Sequence, residues 1–519
     1  MMRPHPLSGG RMSIGSFARK AGLAAGALAL SLAASAPSAR AFCGFFVSGA
    51  DASLTNNASQ VVLLRKGSHT VLSMSNNYKG PPEDFAMVVP VPVVLKKEQV
   101  KTLATDVFRR VDQLSAPRLV EYWEQDPCYV PPPMPPPAPG AMYAPMPTAV
   151  PSESSAGRFG VTIEAKFDVG EYQILILSAK ESGGLEAWLR LSKYNIPKGA
   201  SQALAPYIRE QMKFFVAKVD IKKVHRDKNG LVVLSPLRFS YDAPELRLPV
   251  RLGLLNADGA QDLLVYVLHP SKRFELANYP NVFIPTNIEV ANDVRKDFPS
   301  FYAELFDETL RRAGGRAVVT EYSWQTTSCD PCPTPPLEAS DLYTLGDEDF
   351  VGSAPSAPTP PGRPGAAPVS SRGIPYFGSP PSYVLTRLHT RYDKKTLDAD
   401  LIFREAEPVV GGRANWEGGL GDQGAQVQKG GESNFQGRYI IRHYWEGAVK
   451  CKNPRYGVWG GPPGSGYNPG GAGPVEPAQD LANTARGRFK LPAVITSGLP
   501  AFGIPAQKRA LRPGEAAPR

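Results

Sequence analysis

Two proline-rich tracts cut this chain into the stretches that can fold. Pro131 to about Gly157 contains Pro-Pro-Pro-Met-Pro-Pro-Pro, and Gly352 to about Gly378 has the same character. Such composition cannot bury enough apolar surface to offset the entropy of ordering it. Both tracts, 131–157 and 351–378, are therefore expected as extended, solvated linkers. They leave an N-terminal α+β part over 42–130, a main α+β part over 158–350 and a C-terminal strand segment over 379–463. Residues 464–519 are Gly/Pro-rich and then basic, and are expected as a disordered tail.

The first 41 residues carry an address. Arg11, Arg19 and Lys20 form a basic region, Ala21 to Ala36 is built almost wholly from Ala, Leu and Gly, and Ala39-Arg40-Ala41 offers the small-x-small cleavage pattern. A signal peptide over 1–41 is expected, with the mature chain starting at Phe42. A second start at Met12 would keep Arg19-Lys20. Phe42 before Cys43 argues against lipid anchoring, since a lipoprotein signal needs a small residue there. Outside the leader the longest apolar run, Ala86 to Leu95, contains Pro90 and Pro92, so no transmembrane segment is expected after cleavage. The expected location is periplasmic, outer-surface or extracellular.

The formal charge of +10 suggests a nucleic-acid partner until it is located. The leader holds five basic residues and no acidic one, and 466–519 holds seven against three. The body between is balanced to within one charge, so no electrostatic footprint for DNA or RNA is expected.

The local pattern is strand-rich. Val61 to Leu64 and Thr70 to Met74 flank Arg65-Lys66-Gly67-Ser68, a hairpin signal. Met87 to Leu95 is β-branched, with prolines that confine it to an edge or a bulge. Lys97 to Trp123 turns helical, broken at Ala116-Pro117. Glu245 to Leu252 alternates, and Asn256-Ala257-Asp258-Gly259 turns it into Leu263 to Val267. Helices are expected over Leu185 to Lys193 and Phe301 to Ala313. After the second linker, Tyr383 to Tyr392, Asp400 to Arg404 and Arg438 to Tyr444 read as strands, and Gly411 to Gln436 as a loop. The expected class is α+β: one large body of antiparallel sheet with several helices, and a short C-terminal strand segment docked on it. Glu121-Tyr122-Trp123 before Asp126-Pro127-Cys128 echoes Glu321-Tyr322-Ser323-Trp324 before Asp330-Pro331-Cys332. Two related halves would produce such an echo.

Catalytic signatures are sparse. Cys329-Asp330-Pro331-Cys332 has redox spacing, but it runs into Pro333-Thr334-Pro335-Pro336, so no helix N-terminus follows to stabilise a thiolate. A structural disulfide at a linker root is the expectation, and a zinc site would need two more ligands such as Cys451 and His443. Cys43 and Cys128 are expected to pair, which leaves Cys451 as the free thiol. Closing that loop would contribute roughly 4 kcal/mol in the chain-entropy view. The rival pairing joins Cys128 to Cys332, as the echo would favour. Glu121, Glu124 and Asp126 beside Tyr122 and Trp123 could resemble a sugar site, but an acidic solvated helix end explains them. The six histidines, His5, His69, His225, His269, His389 and His443, are scattered and read as surface or packing residues. No cofactor and no metal is expected. The loop opening at Asn256 lacks a calcium loop's acidic twelfth position, which is Val267.

The ordered motifs resemble a family. They are Cys43-Gly44-Phe45-Phe46-Val47, Gln60 to Leu63, Tyr78-Lys79-Gly80, Phe85-Ala86-Met87-Val88-Val89-Pro90-Val91-Pro92, Ala116 to Tyr122, the Cys329–Cys332 motif, Val384 to Tyr392, and Cys451 to Pro463. Over most of 43–463 the chain resembles the exported bacterial family filed as domain of unknown function 2330. The resemblance implies export and a shared fold, and no activity. Some relatives carry a C-terminal membrane anchor, which is not expected here. The functional expectation is a non-enzymatic envelope or secreted interaction or structural protein, with an unidentified envelope or extracellular partner. The alternative is an exported enzyme, thiol–disulfide or hydrolytic, whose site is assembled from distant residues.

Overall fold

A tight hairpin lies in the middle of the fold. Gly67 takes φ +59° and turns strand Thr55–Lys66 into strand His69–Lys79 through a two-residue loop. The computed structural model describes residues 45–48, 55–79, 85–129, 161–348, 382–413, 427–464, 473–478 and 484–508, except 193, 195, 221, 227–231 and 257–259. The expected signal peptide, both proline-rich linkers and Cys43 lie outside the described residues. Val61 and Leu63 of the hairpin enter one apolar cluster, Val62 and Leu64 another. Burial on both faces is why the segment reads as an unbroken apolar run.

Around this hairpin the described residues form an eleven-stranded sheet. Its order is Gln428–Lys429, Val409–Gly411, Asn434–Gln436, Val318–Gln325, Val384–Tyr392, Gln261–His269, Thr55–Lys66, His69–Lys79, Leu237–Asp242, Val100–Thr102, with Asn281–Phe283 beside Val318–Gln325. On one face it packs against a five-stranded sheet of order Phe45–Ser48, Phe85–Val91, Lys213–Val219, Tyr172–Ala179, Val161–Val169. Val61, Leu63, Phe239 and Val265 meet Met87, Val89, Ile174 and Phe215 between the two. Helices Ser182–Leu191 and Ala200–Arg209 cover the far face of the smaller sheet through Leu185, Leu189, Leu204 and Tyr207. Helices Asp106–Ser115 and Phe298–Arg312 cover the far face of the larger one. The result is α+β and strand-rich, with mostly antiparallel pairs, in helix–sheet–sheet–helix layers. Among the described residues no helix is long and apolar enough to cross a membrane.

The long helix starts three residues before its expected first residue. Asp297 accepts from Ser300 N at 3.3 Å as N-cap, and Pro299 sits in the first turn. Gly314 and Gly315, both at positive φ, end it.

Several expectations need correction. Helix between Lys97 and Trp123 is confined to Asp106–Ser115; Pro117 holds Ala116 extended (ψ 143°), and Arg118–Glu124 is a strand. That strand lies between Arg438–His443, to which it is parallel, and the short strands Trp459–Gly460 and Val475–Pro477. Strand Phe85–Val91 has neighbours on both sides. Its described pairing with Phe45–Ser48 runs from Phe85 to Val88, and on the other side Pro90 lies opposite Phe214. Only Leu246–Leu248 of the alternating Glu245–Leu252 run is a strand.

The C-terminal segment does not dock on a finished body. Val384–Tyr392 lies inside the large sheet, paired along its whole length with Gln261–His269 and on its other side with Val318–Gln325. The tail is not wholly disordered either. Its described parts pack Ala478, Leu491, Ile495, Leu499 and Ile504 into the cluster under Phe298–Arg312. These apolar residues are spaced too widely to stand out among Gly and Pro.

Candidate functional site

The densest polar array lies under the two helices, on the far face of the large sheet. Strand Val384–Tyr392 alternates, and Arg387, His389 and Arg391 share that face. Asp262 and Tyr266 come from the neighbouring strand Gln261–His269. Glu321 arrives through a β-bulge in Val318–Gln325, where the register slips between Thr320 and Tyr322. The extra residue re-aims its side chain toward Arg387. Helix Asp106–Ser115 supplies Asp112, and helix Phe298–Arg312 supplies Tyr302, Phe306 and Asp307.

The bonds form one network. His389 places Nδ1 2.8 Å from Glu321 Oε1 and Nε2 3.2 Å from Asp262 Oδ1. Arg387 donates from Nε to Glu321 Oε2 and from Nη1 to Asp112 Oδ1, each at 2.6 Å. Tyr302 donates to Glu321 Oε1 at 2.5 Å, and Tyr266 to Asp112 Oδ1 at 2.7 Å. Arg391 grips Asp262 with two bonds, 2.9 and 3.0 Å, and also pairs with Asp307. Arg486 from the tail reaches Asp307 at 2.7 Å. The Phe306 ring stacks on His389 at 3.9 Å. Arg387 and His389 are 1 % exposed and Glu321 is 0 % exposed.

Burial alone would neutralise these groups, and the partners reverse it. For His389 burial opposes the charge, but Glu321 and Asp262 outweigh it and raise the pKa. Burial pushes the Glu321 carboxyl up, yet His389 and Arg387 bring it down to about 2. Asp262 is held well below the carboxylate range against its burial by His389 and Arg391. With His389 charged, Arg387, His389, Arg391 and Arg486 balance Asp112, Glu321, Asp262 and Asp307. Both ring nitrogens face carboxylates and one ring face is covered, so His389 has no nitrogen left for a substrate. The network is a strut that pins two helices to the sheet.

Sequence reasoning read His389 as a surface or packing residue, and the structure makes it a buried ion-pair partner. The suspected sugar-site carboxylates do not converge. Glu121 receives His443 Nε2 at 2.7 Å and Arg295 at 3.3 Å, with Trp123 stacked on the His443 ring at 4.3 Å. Glu124 accepts from the backbone of Gly457 and Trp445, and Asp126 from Cys128 N. The echo survives in chemistry: Glu121 and Glu321 each meet one histidine and one arginine. It does not survive in topology, since one strand pairs in parallel and the other antiparallel with the strand bearing that histidine. Among the described residues no group of three or more His, Cys, Asp or Glu is arranged to hold a metal.

The cysteines bring another correction. Cys329 pairs with Cys332 as expected, with Cα atoms 5.0 Å apart. Cys451 is not free: it is bonded to Cys128, Cα atoms 5.5 Å apart, which excludes both Cys43 and Cys332 as partners of Cys128. The neighbouring backbone brings them together, with Gln125 N bonded to Val458 O and Arg455 N to Pro127 O, both at 2.8 Å. That pairing joins segments 323 residues apart and has no local sequence signal.

Among the described residues, a groove and a pocket open to solvent. A groove of about 800 Å³ runs between helix Phe298–Arg312 and the tail, with Leu491, Phe502 and Ile504 among its walls. A smaller pocket of about 180 Å³ lies where the two large sheets part.

The family described as an uncharacterized protein conserved in bacteria (DUF2330) matches residues 37–404. The chain belongs to that family. The matched span takes in Arg387, His389, Glu321, Asp262 and Asp112, and stops before Cys451. Neither the curated proteins nor the solved structures provide a match.

Proposed function

We propose that this chain is an exported, non-enzymatic interaction or structural protein of the bacterial envelope or its surroundings. One observation carries the reading: the centre of the richest array of ionisable groups, Arg387, His389, Glu321, Asp112 and Asp262, is buried, and these groups hold helices on a sheet. A catalytic array needs groups that reach a substrate. The Ala39-Arg40-Ala41 leader pattern and two disulfides add support, since disulfides persist in oxidising compartments.

One arrangement favours the enzymatic alternative. Glu121 orients the half-buried His443, and Glu476 nearby has its pKa raised by burial and by Asp297 and Glu121. Both readings meet one experiment. Producing cells are fractionated, the N-terminus is sequenced, and purified mature protein is titrated onto isolated envelopes. The chain is expected outside the cytoplasm, starting at Phe42, and its retention on envelopes should saturate equally for the native protein and His443→Gln. Intact Met1 or Met12 in the cytosol would refute export. Turnover of envelope material that His443→Gln abolishes would replace the binding reading by a hydrolytic one.

A further inference from the structure

The pocket of about 180 Å³ opens at the mouth of the sandwich, between its two sheets. Leu72, Phe239 and Tyr241 of the eleven-stranded sheet form one wall, and Pro90 and Val91 of the five-stranded sheet face them. Residues Ala243 to Arg247 make the rim. Arg65, itself buried, fixes that rim by donating to Ala243 O at 2.9 Å and Pro244 O at 3.1 Å. The pocket is therefore preformed, and a ligand need not order it.

Two hydrogen-bond donors here lack a partner among the described residues. Tyr241 is 4 % exposed, and its hydroxyl makes no hydrogen bond among the described residues. Arg247 lines the same pocket; its Nη2 holds Asp400 at 3.0 Å and Glu210 at 3.4 Å, while its buried Nε is unpartnered. The buried Arg247 Nε is an orphaned donor and is costly to leave unmet, so an acceptor arriving there is rewarded. The Arg247 charge is already answered by Glu210 and Asp400, and the Glu210 carboxylate itself lines the pocket, which disfavours an anion.

The ligand these features fit is neutral, brings acceptors rather than donors, and carries a small apolar body. We propose that the sandwich mouth binds a proline residue of an extended partner peptide, the ring filling the pocket and a backbone carbonyl accepting from Tyr241 and Arg247. Proline has a carbonyl and no N–H, so it adds no donor that the pocket would have to satisfy. A cavity of about 150 Å³ holds a benzene-sized group, so the five-membered ring fits the space. Proline-containing segments are already extended when free, which lowers the ordering cost.

This inference rests on the interaction reading above and names its partner class. The test is calorimetric titration of the purified mature chain with acetyl-Ala-Pro-Ala-amide, its Gly analogue and hexanoate. The proline peptide should bind saturably, and the Gly analogue roughly tenfold or more weakly for want of the buried ring. Tyr241→Phe should weaken the proline peptide about threefold to tenfold while the melting temperature holds. Ala243→Leu, which crowds the rim, should abolish binding. No saturable binding at millimolar peptide, or equal binding by Tyr241→Phe, would overturn the proposal. So would hexanoate binding without peptide binding, which would assign the pocket to acyl chains. The titration does not depend on where the protein resides. Its failure with envelope retention intact removes this inference alone, and success without retention removes only the envelope reading.

Discussion

Replacing Arg387 by Met is expected to destabilise the protein by about 3–5 kcal/mol, the range found when one partner of a buried ion pair is removed. The substitution leaves length and packing nearly intact and takes away only the charge and its donors. Glu321 and Asp112 then lose their 2.6 Å bonds in a site sealed from water. Burial, which already works against ionisation of Glu321, then faces less opposition. Chemical denaturation of native and variant protein under matched conditions measures the loss. The double variant Arg387→Met/Glu321→Gln should recover part of it, because the uncompensated carboxylate is gone. A loss below about 1 kcal/mol would place the pair among weak surface bridges and deny it the strut role.

Loss of the Cys128–Cys451 bond comes next in size. The bond spans 323 residues, so in the chain-entropy view it removes about 6 kcal/mol of freedom from the unfolded chain; native disulfides typically return 2–5 kcal/mol. Cys128→Ser/Cys451→Ser should lower the melting temperature by several degrees, while Cys329→Ser/Cys332→Ser, which opens a loop of separation 3, should act much less. Non-reducing peptide mapping should recover one peptide linking Cys128 to Cys451. Recovery of Cys451 alkylated in the unreduced protein would contradict the connectivity.

Much of the sheet was legible because apolar runs and turn residues are local. The Gly67 hairpin, the strand ending at His269 and the helix ending before Gly314 all follow from neighbours in sequence. What failed was long-range. Strand Val384–Tyr392 reads as alternating apolar and charged, which normally means one wet face. Here the charged face is largely dry, since Arg387, His389 and Arg391 answer carboxylates from four other elements. No local pattern separates a solvated charge from one paired across about 70 to 275 residues. The same reason hid the Cys128–Cys451 pairing and the docking of Leu491 and Ile495. Glu121, Glu124 and Asp126 show the reverse case: they are close in sequence, and the fold sends each to a different partner.

The strut has a pH signature of known sign. His389 has a raised pKa, so its contribution is fully present below the unfolded value of about 6.5 and is lost as pH rises through the folded one. Glu321 works in the other direction. Its contribution is present above the ordinary value of 4.5 and is lost as pH falls toward about 2. Stability from this network should therefore peak between those limits. Nitrogen-15 NMR of the native imidazoles from pH 5 to pH 9 observes the key member directly. Both nitrogens of His389 should remain protonated above pH 6.5, in a signal absent from His389→Gln, and deprotonate only at higher pH as stability declines. A His389 signal that is neutral at pH 6.5 with stability unchanged would show that the buried network is not held together by this charge.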